Sequence, residues 1–200
     1  MDLWRNLKVE KSVSEPGINK RKLSTADLAV IALMASVIAV CSWITIPSAV
    51  PFTMQSFAVF LAVGLLGGKR GSLAVLIYIL LGSIGLPVFS GFRGGLAHLA
   101  GPTGGYIIGF LFAALIMWAV EHIAGKGIKP LSLSMVLGLL VCYTFGTIWF
   151  IIVYSKSAGP ISVGAALGMC VIPFIIPDII KIVLAVILTL KLRPRLPNLT

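Results

Sequence analysis

Long apolar segments constrain the fold of this 200-residue chain more than any other feature. Hydrophobic residues make up 58% of the sequence, charged residues make up 11%, and the mean hydropathy is +1.08. Runs of about 18 or more apolar residues can span a lipid bilayer, and a soluble domain does not carry several of them. The first run begins only at Leu28, behind a charged tail, so it does not resemble a cleavable secretory signal. We therefore predict an integral membrane protein.

Apolar length and the glycine, proline and charged breaks predict an all-α fold with six transmembrane helices. An uninterrupted helix through the apolar C-terminal region would be about 45 Å long, more than the roughly 30 Å core of a bilayer. Proline favours the first turn of a helix, so we expect the last span to begin at Pro177 and residues 162–176 to form a partly helical cap. The predicted spans are residues 26–44, 52–66, 72–86, 105–120, 133–153 and 177–192.

The distribution of positive charge predicts the orientation and the domain organisation. In the six-span arrangement, 13 of the 16 Lys and Arg residues fall on one side and only Arg93 and Lys156 lie in loops on the other. The positive-inside rule places that side, with both termini, in the cytoplasm. We expect basic cytoplasmic tails at residues 1–25 and 193–200 around a membrane domain at 26–192. The basic side comprises Arg5, Lys8, Lys11, Lys20, Arg21, Lys22, Lys69, Arg70, Lys126, Lys129, Lys191, Arg193 and Arg195.

Three charged residues on the outer side are candidates for a ligand site. Residues 82–106 form a glycine-rich, nearly uncharged stretch with Arg93 at its centre, which we interpret as a binding loop. Asp178 and Lys181 are three residues apart near the outer end of the last span, so they share one helix face. Charge within a bilayer is costly and is usually paired. These residues predict either a structural Asp–Lys pair or a site with an acceptor, a donor and a separate cation.

Further polar and aromatic residues on the outer side are candidates to line that site. Gln55 can donate and accept at once, although a hydrogen bond between helices would also explain it. Gly104 and Gly105 would expose backbone amides beside Tyr106 at the start of the fourth span. Tyr78 could line an apolar pocket, although an interfacial aromatic residue is the alternative.

Several classes of function find no support in the sequence. There is no Gly-x-x-x-x-Gly-Lys-Ser/Thr phosphate loop, so the chain does not hydrolyse ATP by that route. Cys41, Cys142 and Cys170 are isolated in apolar segments without metal-ligand spacing. The one other histidine, His122, is predicted to lie near the membrane face opposite His98, so no metal site is expected. No catalytic constellation is evident, and we do not expect an enzyme.

Five ordered sequence blocks resemble BioY, the biotin-binding substrate component of energy-coupling factor transporters. The resemblance covers residues 26–192 and departs from the family pattern at the loop segment 90–92. The blocks are Val50-Pro-Phe-Thr-Met-Gln55, Leu65-Leu-Gly-Gly-Lys-Arg-Gly71, Tyr78-Ile-Leu-Leu-Gly-Ser-Ile-Gly-Leu-Pro-Val-Phe89, Gly101-Pro-Thr-Gly-Gly-Tyr106 and Ile172-Pro-Phe-Ile-Ile-Pro-Asp-Ile-Ile-Lys181.

The resemblance implies biotin uptake across a bacterial cell membrane, with no cofactor. It implies a transmembrane coupling subunit and two cytoplasmic ATPases as partners, which fits the missing phosphate loop. Asp178 would accept the ureido N–H groups of biotin, Lys181 or Gln55 would donate to its carbonyl oxygen, and Arg93 would hold its carboxylate. Gly104, Gly105, Tyr106 and Tyr78 would shape the pocket wall.

The resemblance also implies a docking face for the coupling subunit on the first span. Ala32, Ala35 and Ala39 are predicted to fall on one side, where small residues let another membrane helix approach closely. The sequence leaves three alternatives open: a substrate component for another vitamin, a carrier that works without ATPases, and, more remotely, an intramembrane enzyme that uses Asp178 and His98.

Overall fold

A computed structural model describes residues 23–48 and 50–195, and these residues are mostly helical. Helix α1 is preceded by Ser24, whose side chain forms a capping box with Asp27. The helices are α1 (Thr25–Trp43), α2 (Gln55–Leu66), α3 (Gly68–Ser83), α4 (Leu96–Ala100), α5 (Gly104–Ala124), α6 (Ile128–Ala158), α7 (Val163–Cys170) and α8 (Ile175–Leu192), with 3₁₀ turns at Ile172–Phe174 and Arg193–Arg195. Two short antiparallel strands, β1 (Thr45–Ile46) and β2 (Phe52–Thr53), join α1 to α2.

Each predicted span corresponds to a helix, and the ends of several spans differ. Helix α3 begins at Gly68 instead of residue 72, because the basic pair at 69–70 fits into its first turn at the edge of the bundle. Phe52 was predicted to be helical but lies in β2. Helix α7 confirms the partly helical cap, and α8 begins two residues before Pro177, which still lies in the first turn where a missing N–H costs no hydrogen bond.

The fold is that of an integral membrane protein. Four helical stretches of the described chain are long and apolar enough to cross a bilayer, namely α1, α5, α6 and the segment Val163–Arg195. Helices α2 and α3 have 12 and 16 residues, so at about 1.5 Å per residue each is shorter than the hydrocarbon core. Large apolar side chains such as Leu33, Ile148 and Ile180 are more than half exposed, as lipid-facing residues are. The six-span count and the cytoplasmic termini stay predictions.

Ion pairs gather the charged helix ends at one end of the bundle. Arg70 at the start of α3 contacts Asp27 of α1 at 3.0 Å. Glu121 near the end of α5 accepts a hydrogen bond from the Gly68 amide and lies 3.7 Å from Arg193 after α8. The start of α1, the α2–α3 turn, the α5–α6 connection and the end of α8 therefore meet. The basic N-terminal residues predicted on this side lie outside the described residues.

Candidate ligand-binding site

A pocket opens at the other end of the helices, where Asp178 and Lys181 lie. It encloses about 670 Å³, a volume that includes open space at its mouth. Helices α2, α4, α5, α6, α7 and α8 contribute to its wall, together with β2, the β1–β2 connection, the loops on either side of α4 and the 3₁₀ turn before α8. Ten of the 18 lining residues are apolar or aromatic, and the other eight are polar or charged. The lining includes Val50, Pro51, Ile107, Phe110, Leu139, Cys142, Cys170 and Phe174.

The predicted acid–base pair forms the charged end of the pocket. Asp178 and Lys181 lie on one face of α8, with Lys181 Nζ 2.8 Å from Asp178 Oδ1. Each residue is only 4% exposed, so this pair is almost completely removed from solvent. A buried ion pair survives only if further hydrogen bonds satisfy its remaining atoms. Thr53, Ser56 and Tyr143 supply those bonds.

Lys181 uses its three ammonium protons within the protein. Besides Asp178, it donates to the Thr53 carbonyl oxygen at 2.7 Å and to Ser56 Oγ at 3.1 Å. Its ammonium also lies 4.2 Å from the centre of the Phe52 ring, at the distance of a cation–π contact. An ammonium group has three donors. Lys181 is therefore fully engaged before any ligand arrives.

Ser56 and Tyr143 complete the environment of the carboxylate, and the sequence did not single out either residue. The Ser56 hydroxyl donates to Asp178 Oδ1 at 3.1 Å, and the Tyr143 hydroxyl donates to Oδ2 at 2.6 Å. Ser56 follows Gln55, a predicted site residue, directly in the chain. A signal for Tyr143 was its place in the middle of an apolar span, where a buried hydroxyl needs a partner.

Gln55 is the predicted site residue with an uncommitted donor. It is 4% exposed, lines the pocket, and its side-chain Nε2 has no hydrogen-bond partner among residues 23–48 and 50–195. Its backbone N–H donates to Thr53 Oγ1 at 3.3 Å, which fixes the start of α2. A buried amide without a partner is costly, and a polar ligand is one way to satisfy it. The carboxamide is therefore available to a ligand in the pocket.

The block around Tyr106 contributes one lining side chain and two packing glycines. Tyr106 lines the pocket, and its hydroxyl is 2.9 Å from Thr147 Oγ1. Gly104 and Gly105 are not among the lining residues. A Cβ at Gly104 would lie 1.7 Å from the Leu99 carbonyl oxygen, and a Cβ at Gly105 would lie 2.2 Å from Trp149 Cβ. These glycines permit the close packing that sets Tyr106 in place.

The glycine-rich loop reaches the pocket through residues other than Arg93. Ser90, His98 and Thr103 line the cavity. Arg93 is exposed, pairs with Phe89 through backbone hydrogen bonds and is not a lining residue. Burial, and then the nearby Arg93 guanidinium, lower the pKa of His98, so its imidazole is neutral at pH 7.

Tyr78 supports the pocket from behind instead of lining it. It is 1% exposed, and its ring meets the Phe89 ring edge-on at 5.6 Å. Phe89 in turn stacks on His98 with the same centroid distance. Tyr78, predicted as a wall residue, therefore packs against Phe89, which in turn packs against the lining residue His98.

The alanine set predicted on one side of α1 is divided by the fold. Ala35 and Ala39 are 2% and 6% exposed and belong to the core of the chain itself. Ala32 is exposed. Of the three residues, Ala32 alone is accessible to a second protein.

The arrangement suits a neutral head group that both donates and accepts hydrogen bonds. Because the charges of Asp178 and Lys181 compensate each other, the pocket end carries no net charge. Asp178 is the acceptor and Gln55 is the available donor. The apolar wall between this end and the loop then suits a hydrocarbon body. No group of residues in the described ranges has the composition of a metal site.

Comparisons with known proteins agree with the sequence blocks. A model of the BioY family matches residues 17–198. The chain is 40% identical over 172 residues to the "Probable biotin transporter BioY" of Pyrococcus horikoshii, covering 86% of this chain and 98% of the relative. It is 40% identical over 162 residues to the "Biotin transporter BioY" of Thermotoga maritima, covering 80% and 92% of the two chains.

A solved structure shares the fold. The crystal structure of the S-component for biotin from an ECF-type ABC transporter superposes with a TM-score of 0.74 at 29% sequence identity. The match covers 84% of this chain and 91% of that chain. These comparisons confirm the all-α membrane fold and the resemblance carried by the five sequence blocks. The chain belongs to the BioY family.

Proposed function

We propose that this protein captures biotin at the outer face of the cell membrane and delivers it into the cell as the substrate component of an ECF-type transporter. The relatives are named as biotin transporters, and the solved structure is an S-component for biotin. The observation that carries the proposal is the buried, charge-compensated Asp178–Lys181 pair beside the unpartnered Gln55 amide, at one end of an apolar pocket. The protein is a transport component, not an enzyme.

The chemistry of biotin matches the two ends of this pocket. Its ureido ring has two N–H donors and one carbonyl oxygen, its thiophane ring and chain are apolar, and its tail ends in a carboxylate. Asp178 accepts a ureido N–H, and Ile107, Phe110 and Leu139 surround the apolar body. Gln55 Nε2 donates to the ureido oxygen, because it has a free donor whereas Lys181 has none.

The carboxylate tail of biotin points toward the glycine-rich loop. Ser90, His98 and Thr103 offer hydrogen-bonding groups there, and Arg93 lies three residues from Ser90. Arg93 remains a predicted partner of the carboxylate at the pocket mouth. Its role is tested by Arg93→Ala, which should weaken biotin binding and leave the affinity for biotin amide, whose tail is uncharged, within about two-fold. Equal losses for both ligands would remove Arg93 from the tail site.

Transport requires partners that this chain does not contain. We infer a transmembrane coupling subunit and two cytoplasmic ATPases, since the chain has no phosphate loop and its family works in ECF-type transporters. The accessible Ala32 on α1 is the proposed point of contact with the coupling subunit, because a small side chain lets a second helix approach.

The binding experiment comes first. The purified protein in detergent is titrated with biotin, desthiobiotin and thiamine by calorimetry, and Gln55→Leu is titrated in parallel. We expect biotin to bind one-to-one, thiamine not to bind, and the Gln55 variant to bind biotin about 10-fold more weakly, as expected for one buried hydrogen bond. Folded protein that neither binds biotin nor contains copurified biotin would overturn the proposal.

Uptake into cells tests the partners separately. Labelled biotin uptake is measured in cells that express this protein with the coupling subunit and ATPases, and in cells that express it alone. Uptake only with the full set supports the ATP-driven transporter. Equal uptake by the protein alone would instead support a carrier that works without ATPases.

A further inference from the structure

The Tyr143 hydroxyl bonds to the side of the Asp178 carboxylate that the ion pair leaves free. Oδ1 accepts from Lys181 and Ser56, whereas Oδ2 accepts from Tyr143 at 2.6 Å. Tyr143 belongs to α6, Ser56 to α2, and the acid to α8. The carboxylate is therefore held from three separate helices.

The acceptor count leaves one position for a ligand. An ionised carboxylate has about four lone-pair sites, two on each oxygen. Both sites of Oδ1 are used within the protein, and Tyr143 is the one donor to Oδ2 among the described residues. Asp178 and Tyr143 both line the pocket. The remaining Oδ2 site is the acceptor that an incoming N–H can use.

The terminal torsion of an aspartate is broad, so a carboxylate does not fix its own rotation. An O–H donor at 2.6 Å from a carboxylate oxygen is in the range of strong, charge-assisted hydrogen bonds. Building on the proposed function, we propose that Tyr143 is a positioning residue that holds Oδ2 of Asp178 in the orientation that accepts a ureido N–H of biotin.

If Tyr143 instead blocked the ligand's place on Oδ2, the opposite change in affinity would be expected. If Tyr143 occupied the position of the ligand donor, biotin would have to displace its hydroxyl, and removing that hydroxyl would tighten binding. A positioning hydroxyl stays bonded when the ligand is present, because Oδ2 accepts two donors at once. Removing it then weakens binding. The direction of the affinity change separates the two roles.

The test compares Tyr143→Phe with the unmodified protein on three ligands: biotin and the two derivatives that carry a methyl group on one or the other ureido nitrogen. We expect the Phe variant to bind biotin about 10-fold more weakly. The derivative that lacks the N–H facing Asp178 should bind weakly to both proteins, with affinities within about two-fold of each other. A purely structural role would lower the affinity for all three ligands by the same factor.

Tyr154→Phe is the matched control, because Tyr154 is a partly buried tyrosine on the same helix that stacks on Phe150 and does not line the pocket. It should bind biotin as the unmodified protein does. The quantity compared is the dissociation constant, not the amount of ligand bound. A smaller folded fraction of a variant therefore does not look like a loss of affinity. Unchanged or tighter biotin binding by Tyr143→Phe, or equal losses on all ligands, overturns the positioning role alone. Unmodified protein that does not bind biotin overturns the proposed function and this inference together.

Discussion

The buried ion pair makes the sharpest prediction about stability. Lys181 Nζ and Asp178 Oδ1 are 2.8 Å apart, which corresponds to an attraction of about 6 kcal/mol at an effective dielectric constant of about 20. Removing either partner leaves a buried charge without compensation and typically costs about 3–5 kcal/mol. We expect Asp178→Asn and Lys181→Met each to fall in that range. The double variant should cost about 2–3 kcal/mol less than the sum of the two, because it leaves no unpaired charge.

The assay measures the free energy of unfolding of the purified variants in detergent, with heat and with denaturant. Lys126→Met is the control, because Lys126 lies 3.7 Å from Glu121 with half of its side chain exposed. Surface pairs contribute about 0–1 kcal/mol, so the control should be nearly neutral. A double variant as destabilised as the sum of the single variants would refute the coupling. Single variants as stable as the control would refute the burial argument itself.

Three further tests concern other parts of the fold and site. Gly146→Ala would place a Cβ 2.3 Å from the Tyr106 ring, so it should cost about 1–3 kcal/mol in unfolding and weaken biotin binding, whereas Gly168→Ala, with no atom within 4 Å, should be nearly neutral in both assays. Ala32→Trp should leave biotin binding intact but reduce ATP-dependent uptake; normal uptake would exclude Ala32 from the coupling interface. The pKa of His98 is lowered in the fold, so the unfolded state binds more protons as pH falls below about 6.5 and stability should decrease there. That decrease should be smaller in His98→Gln. The prediction is wrong if the thermal unfolding of the two proteins changes equally between pH 7.5 and 5.5.

Apolar length and local spacing predicted much of the fold. Charged residues are rare in this apolar chain, so their positions indicated where a site could lie. The i, i+3 spacing of Asp178 and Lys181 predicted that they share a helix face, and the structure confirms this. Two prolines, at 173 and 177, predicted the break between α7 and α8 for a local steric reason. These features depend only on residues close together in the sequence, which is why the sequence predicted them.

Contacts between distant segments could not be predicted in the same way. Ser56 and Asp178 are 122 residues apart, and no local pattern indicates that α2 and α8 meet at that register. Tyr143 bonds across a separation of 35 residues for the same reason. Helix α1 is apolar on all sides, since one side faces lipid and the other faces the core, so periodicity did not reveal that Ala35 lies inside while Ala32 lies outside. Only packing between helices decides those questions.

The charge compensation at the pocket end bears on selectivity. A free buried cation would favour anions, and a free buried carboxylate would favour cations such as thiamine. Because Lys181 already compensates Asp178, an incoming charge would lose its hydration without gaining an unpaired counter-charge. A neutral ureido group loses less hydration and still meets an acceptor on Oδ2 and a donor on Gln55. Selectivity for a neutral, hydrogen-bonding head therefore follows from a pair of charges that satisfy each other, and neutralising Lys181 alone should shift the preference of the site toward cationic ligands.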